Sequence, residues 1–131
     1  MGKRSTARRL AMQALYQADL SGIKIDEALG NVCKSEKFMS ATIDFAAVLA
    51  GKAWENKKQI DRIISDLSID WPLERLGKVD RSILRLALQE LKLGETPAPV
   101  IVDEAVEMAK KYSSSEAPKF INGILGAYLR K

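Results

Sequence analysis

The sequence predicts an all-α fold of about seven helices, arranged as a bundle of two packed subbundles. Three observations carry this. Apolar residues recur at i, i+3, i+4 and i+7 along most of the chain, and glycine or proline punctuates those stretches. The single β-branched run, Val100-Ile101-Val102, is too short and isolated to require a sheet. At 131 residues, positions 1–131 read as one helical domain without internal repeats or low-complexity tracts.

The first helix carries Ala7, Leu10, Ala11, Ala14, Leu15 and Ala18 on one stripe, with Ser5 or Thr6 as a cap and Gly22 as the stop. A short helix follows from about Ile25 to Cys33, with Asp26 near its start. Phe38, Ala41, Phe45, Val48, Leu49, Ile60, Ile63, Ile64 and Leu67 outline one long helix, or two stacked ones, between about Ser40 and Asp66, with Gly51 as the place to bend. Pro72 opens a short helix reaching Leu76, closed by Gly77. From Asp80 to Leu93 the apolar residues fall on nearly every side, which marks a central helix. Gly94 stops it, and Thr96-Pro97-Ala98-Pro99 reads as a linker. A further helix places Ile101, Ala105, Met108, Ala109 and Tyr112 on one face. Ser113-Ser114-Ser115 then leads to a last helix with Phe120, Ile121, Ile124, Leu125 and Tyr128. Pro118 fits the first turn of that helix, and Gly123 reads as a point of close helix approach.

Composition removes much catalytic chemistry. Histidine is absent and Cys33 is the lone cysteine, which excludes His-based acid–base catalysis, Ser-His-Asp and Cys-His nucleophiles and zinc clusters. No phosphate loop or dinucleotide fingerprint occurs, so no cofactor is expected. Asp61, Asp66, Asp103 and Glu104 read as solvated faces or caps rather than an acid–base pair, and the chain reads as a non-enzyme. No apolar stretch reaches the length needed to span a bilayer, and cytoplasmic residence is expected.

The net charge of +4 has a location. Lys3, Arg4, Arg8 and Arg9 are the only charges among the first nine residues, and the remainder is balanced. A basic arm on a neutral body suits an anionic partner such as nucleic acid or an acidic membrane. Opposite the apolar stripe of the first helix lie Arg8, Arg9, Met12, Gln13 and Tyr16, and Arg8, Met12 and Tyr16, four residues apart, fall on nearly one line. Guanidinium groups beside an aromatic ring and an amide form the mixture that single-stranded RNA recognition uses. Spacing alone equally allows Tyr16 to pack against another helix with its hydroxyl at the surface. Trp54 and Trp71 read as core or helix-junction residues.

Three blocks of residues resemble a known family. Ala7-Arg8, Ala11 and Gln13-Ala14-Leu15-Tyr16 form the first; Asp80-Arg81, Ile83-Leu84-Arg85, Ala87 and Glu90-Leu91 the second. The third runs from Pro99 through Val102-Asp103-Glu104-Ala105-Val106-Glu107 and Ala109-Lys110 to Pro118-Lys119-Phe120-Ile121-Asn122-Gly123-Ile124-Leu125. In that order and separation they resemble the NusB family of transcription antitermination factors, in its free-standing form. The resemblance implies a NusB-like bundle that pairs with ribosomal protein NusE and binds boxA-type single-stranded RNA. It also implies entry into an RNA polymerase antitermination complex, notably on ribosomal RNA operons. By position it assigns RNA contact to Arg8, Gln13 and Tyr16 in the first helix and to Lys119 and Phe120 in the last, and NusE contact to Glu74 and Asp80; the basic arm adds Arg4 and Arg9 to the expected RNA contacts. The Ser113–Ala117 loop departs from the family pattern, which has glycine near its start and an acid-acid-serine run later. Two other classes of function fit the residues: a helical protein–protein adaptor without RNA specificity, and a membrane-surface protein. The mostly alanine stripe of the first helix offers little area for insertion.

Overall fold

Glycine and proline backbone chemistry sets several of the helix ends. The computed structural model describes residues 3–34, 36–68 and 76–131. Among them stand seven helices and no strand: α1 (Lys3–Ser21), α2 (Ile25–Cys33), α3 (Ser40–Glu55), α4 (Lys57–Leu67), α5 (Lys78–Leu93), α6 (Ala98–Tyr112) and α7 (Ala117–Leu129). Gly22 and Gly94 terminate α1 and α5 at φ +73° and +74°, a backbone that a side chain resists. Asp26 and Glu27 sit in the first turn of α2, where the helix dipole favours them. Pro118 falls in the first turn of α7, as its missing N–H allows. The short helix expected over Pro72–Leu76, with Trp71 and Glu74, lies outside the described residues except for the buried Leu76.

Several local expectations are corrected. The α3–α4 break falls at Asn56, not at Gly51. The Asn56 amide donates to the Lys52 carbonyl, and its side-chain Nδ2 donates to Gln89 Oε1 on α5 at 3.0 Å, which pins the corner there. The linker is shorter than expected, because Ala98 and Pro99 already form the first turn of α6. Helix α1 starts before Ser5, whose hydroxyl donates to Glu104 on α6 instead of capping. Thr42, Ala46, Leu49, Ala50 and Ala53 are the buried positions of α3, while Val48 is 51% exposed, so the packed face is rotated from the expected one. Gly123 is exposed and a Cβ there would meet nothing, so no helix approaches it closely.

Two groups of helices build the molecule. Helix α1 packs on α2 and α3, which also pack on each other; α6 packs on α7, and α4 on α7. Helix α5 joins the groups by touching α1, α3, α4, α6 and α7. Its residues Ser82 through Glu90 are all buried, as its all-round apolar pattern requires. Charged pairs reinforce the join. Arg81 donates from Nε and Nη2 to Asp19 on α1 at 3.0 and 2.6 Å, and Arg85 donates to both oxygens of Asp61 on α4 at 2.8 and 2.7 Å. The buried Arg85 Nη1 makes no hydrogen bond but lies 3.6 Å from Asp19 Oδ2, which compensates its charge.

Candidate nucleic-acid interface

The first turns of α1 hold the arginines. The apolar stripe from Ala7 to Ala18 is buried as expected, yet Arg8 and Met12 are buried too, at 4% and 2% exposure. The reason is that α1 is covered on more than one side, by α2 and α3 and again by α5. The Arg8 guanidinium makes a bidentate pair with Glu90 of α5, Nε to Oε1 at 2.8 Å and Nη2 to Oε2 at 2.6 Å, and Glu104 of α6 stands 3.9 Å from Nη1. Hydrogen bonding to Glu90 raises the Arg8 pKa above its ordinary value despite the opposing effect of burial. This corrects the placement of Arg8 on an outward line with Tyr16. Its guanidinium is spent inside the fold and is not presented to a phosphate.

The remaining polar residues of α1 do reach the surface. Arg4 is exposed, and Arg9, Gln13 and Tyr16 are half-exposed. The spacing of Arg9, Gln13 and Tyr16, four and then three residues, puts them on one line of the helix. Arg4 lies on a different side, with Cζ 4.1 Å from the centre of the Phe45 ring on α3; Arg9 lies 5.8 Å from the Phe38 ring. Sequence reasoning placed both phenylalanines on an apolar stripe and missed these contacts, since periodicity carries no information about which cation covers a ring.

Beside Arg9 a groove of about 650 Å³ runs between α1 and α6. Thr6 and Arg9 form one wall, and Met108, Lys111 and Tyr112 part of the other, with Asp103 and Glu107 among the lining groups. Tyr112, read as a core residue, thus borders the arginine line. Lys119 is exposed in the first turn of α7. Phe120 beside it is half-buried against the core. Asp80 sits in the first turn of α5 and accepts a hydrogen bond from Ser113, which ties the start of the α6–α7 loop to α5. Glu74 lies outside the described residues.

The carboxylates weighed as acid–base candidates have other tasks or none. Asp61 holds Arg85, Glu104 accepts from Ser5, and Asp66 and Asp103 are exposed. Burial pushes the Cys33 thiol up from its ordinary value, which keeps it protonated and weakly nucleophilic at neutral pH. Among the described residues no cluster of His, Cys, Asp or Glu is arranged to hold a metal. Nor, among the described residues, is any helix long and apolar enough to cross a membrane.

Known proteins share this architecture. T. maritima NusB superposes with a TM-score of 0.91 at 32% identity, over 98% of this chain and 91% of that one. A crystal structure of antitermination factors NusB and NusE in complex with double-stranded RNA contains a chain with a TM-score of 0.88 and 32% identity, over 98% of this chain and 96% of that one. The transcription antitermination protein NusB of Bacillus subtilis is 41% identical across 94% of this chain and 92% of its own length. That of Leptospira biflexa is 39% identical across 100% of this chain and 94% of its own. With the NusB family model matching residues 5–130 as well, the chain belongs to the NusB family of transcription antitermination proteins, which is not an enzyme family.

Proposed function

We propose that this chain binds boxA-type single-stranded RNA together with ribosomal protein NusE. On RNA polymerase in the cytoplasm the complex suppresses premature termination, notably in ribosomal RNA operons. One observation carries the reading: Arg9, Gln13 and Tyr16 share a surface line of α1, so a phosphate donor, an amide and an aromatic ring stand in reach of one strand. The related complex of NusB and NusE with double-stranded RNA supports NusE and RNA as partners, while the single-stranded form rests on the α1 line alone. Arg4, Lys119 and Phe120 extend the RNA contact, and Glu74 and Asp80 belong to the NusE side.

A gel-shift titration with a labelled boxA-type RNA, with and without NusE, tests this. Tight binding by the heterodimer and weak binding by the chain alone are expected. Arg9→Ala should weaken all RNAs alike and lower the slope of log K against log salt by about 0.7. Tyr16→Ala should cost about 1–3 kcal/mol, leave that slope unchanged and blunt the preference for boxA over scrambled RNA. Phe120→Ala should act as Tyr16→Ala does, once its melting is shown to match the parent. Binding by Tyr16→Ala equal to the parent, or equal competition by duplex RNA, would remove the single-strand surface on α1. RNA binding absent even with NusE would leave the adaptor reading.

The NusE side has its own test. Reversing Glu74 and Asp80 to lysine should weaken the heterodimer through like-charge contacts while the fold stays intact. Ser113→Ala serves as the control for loss of the hydrogen bond to Asp80, since it removes the donor and keeps the carboxylate charge. Unchanged affinity by calorimetry in the double reversal would take both residues out of the interface.

A further inference from the structure

The arginines of α1 divide into two kinds. Arg8 is buried and paired with Glu90, as Arg85 is with Asp61, and the part-buried Arg81 pairs with Asp19. Arg4 and Arg9 meet no carboxylate within ion-pair distance among the described residues, and what each meets instead is an aromatic face. The Phe45 ring has Arg4 4.1 Å from its centre and Arg8 at 6.0 Å. Phe45 is packed against the core, and Arg8 is fixed by its pair, so the ring is a rigid surface supporting an exposed side chain.

We infer that Phe45 is a positioning residue for RNA: it holds the Arg4 guanidinium ready for a phosphate, and Phe38 does the same for Arg9. The inference rests on the RNA-binding reading above. The chemistry of guanidinium makes the two contacts compatible. A cation over a ring uses the face of the planar group, whereas its N–H donors point outward in the plane, where a phosphate is met bidentately. An exposed arginine near a helix start otherwise samples many rotamers, and ordering it on binding costs affinity. A ring that orders it beforehand removes part of that cost. Lysine at position 4 would keep the charge but lose both the flat stack and the fork.

The experiment uses the full chain with NusE and a labelled single-stranded boxA-type RNA at several salt concentrations. Phe45→Leu keeps an apolar side chain on the core and should melt close to the parent. It should bind the RNA about two- to fivefold more weakly, with a shallower salt slope, and Phe45→Trp should restore both. In an Arg4→Ala background, Phe45→Leu should have no further effect, because the group it positions is gone. Should Phe45→Leu fail to fold, Phe38→Leu with Arg9→Ala forms the same cycle. The inference is overturned if Phe45→Leu binds as the parent does while Arg4→Ala is weakened, if the two losses add, or if Arg4→Ala leaves affinity and slope unchanged. Loss of RNA binding by the parent itself would instead strike the functional reading, and the two failures are thereby separate.

Discussion

Arg8→Ala is expected to lower the free energy of unfolding by about 3–5 kcal/mol, measured by chemical denaturation. Glu90 is 2% exposed, and its carboxylate receives both hydrogen bonds from this one guanidinium. Removing the arginine leaves a buried negative charge with its donors gone, and the loss is the cost of that stranded carboxylate rather than the net worth of the pair. Replacing both partners with apolar residues, as in Arg8→Met with Glu90→Leu, should recover most of the stability, since the charge is no longer there to strand. A loss below about 1 kcal/mol for Arg8→Ala would show that water reaches Glu90. Weakened RNA binding by this variant would follow from a disturbed α1 and would not identify a phosphate contact.

Leu84→Ala and Leu88→Ala should each cost about 2–5 kcal/mol. Both side chains are fully buried on α5, the helix that touches five others, so neighbours on opposite sides must all move to close the space. Rigid surroundings keep the cavity open, which places the cost toward the upper part of that range. One turn separates the two positions, so the double variant should depart from additivity through a shared cavity. Denaturant melts showing less than about 1 kcal/mol for both would place the core elsewhere.

The central role of α5 was legible because apolar residues on all sides have no other use in a chain without a membrane span. Glycines and prolines marked several ends correctly for the same kind of reason: Gly22, Gly94 and Pro118 act through their own backbone chemistry. Arg8 was not legible. An arginine in a basic arm reads as solvated, and the residue that overrules this, Glu90, lies on a different helix. The corner at Asn56 was hidden in the same way, since its anchor is Gln89. At the candidate interface helical spacing put Arg9, Gln13 and Tyr16 on the outward side of the first helix, but it drew the line through Arg8, Met12 and Tyr16, of which the first two are buried, and it gave no sign of the rings beneath Arg4 and Arg9.

The Arg8–Glu90 pair also orders events during synthesis. Its partners stand 82 residues apart, and Glu104, the second carboxylate at Arg8, comes later still. Translation at about 5–20 residues per second leaves roughly 4–16 s between the two residues. During that interval the residues of α1, α2 and α3 are on the nascent chain while Glu90 and Glu104, the carboxylates at Arg8, are not yet made. Closing early would bury a bare cation, so α1 stays solvated until α5 emerges. Helix α1, which precedes the other helices of the fold, is thereby locked only once the chain has been made through α5.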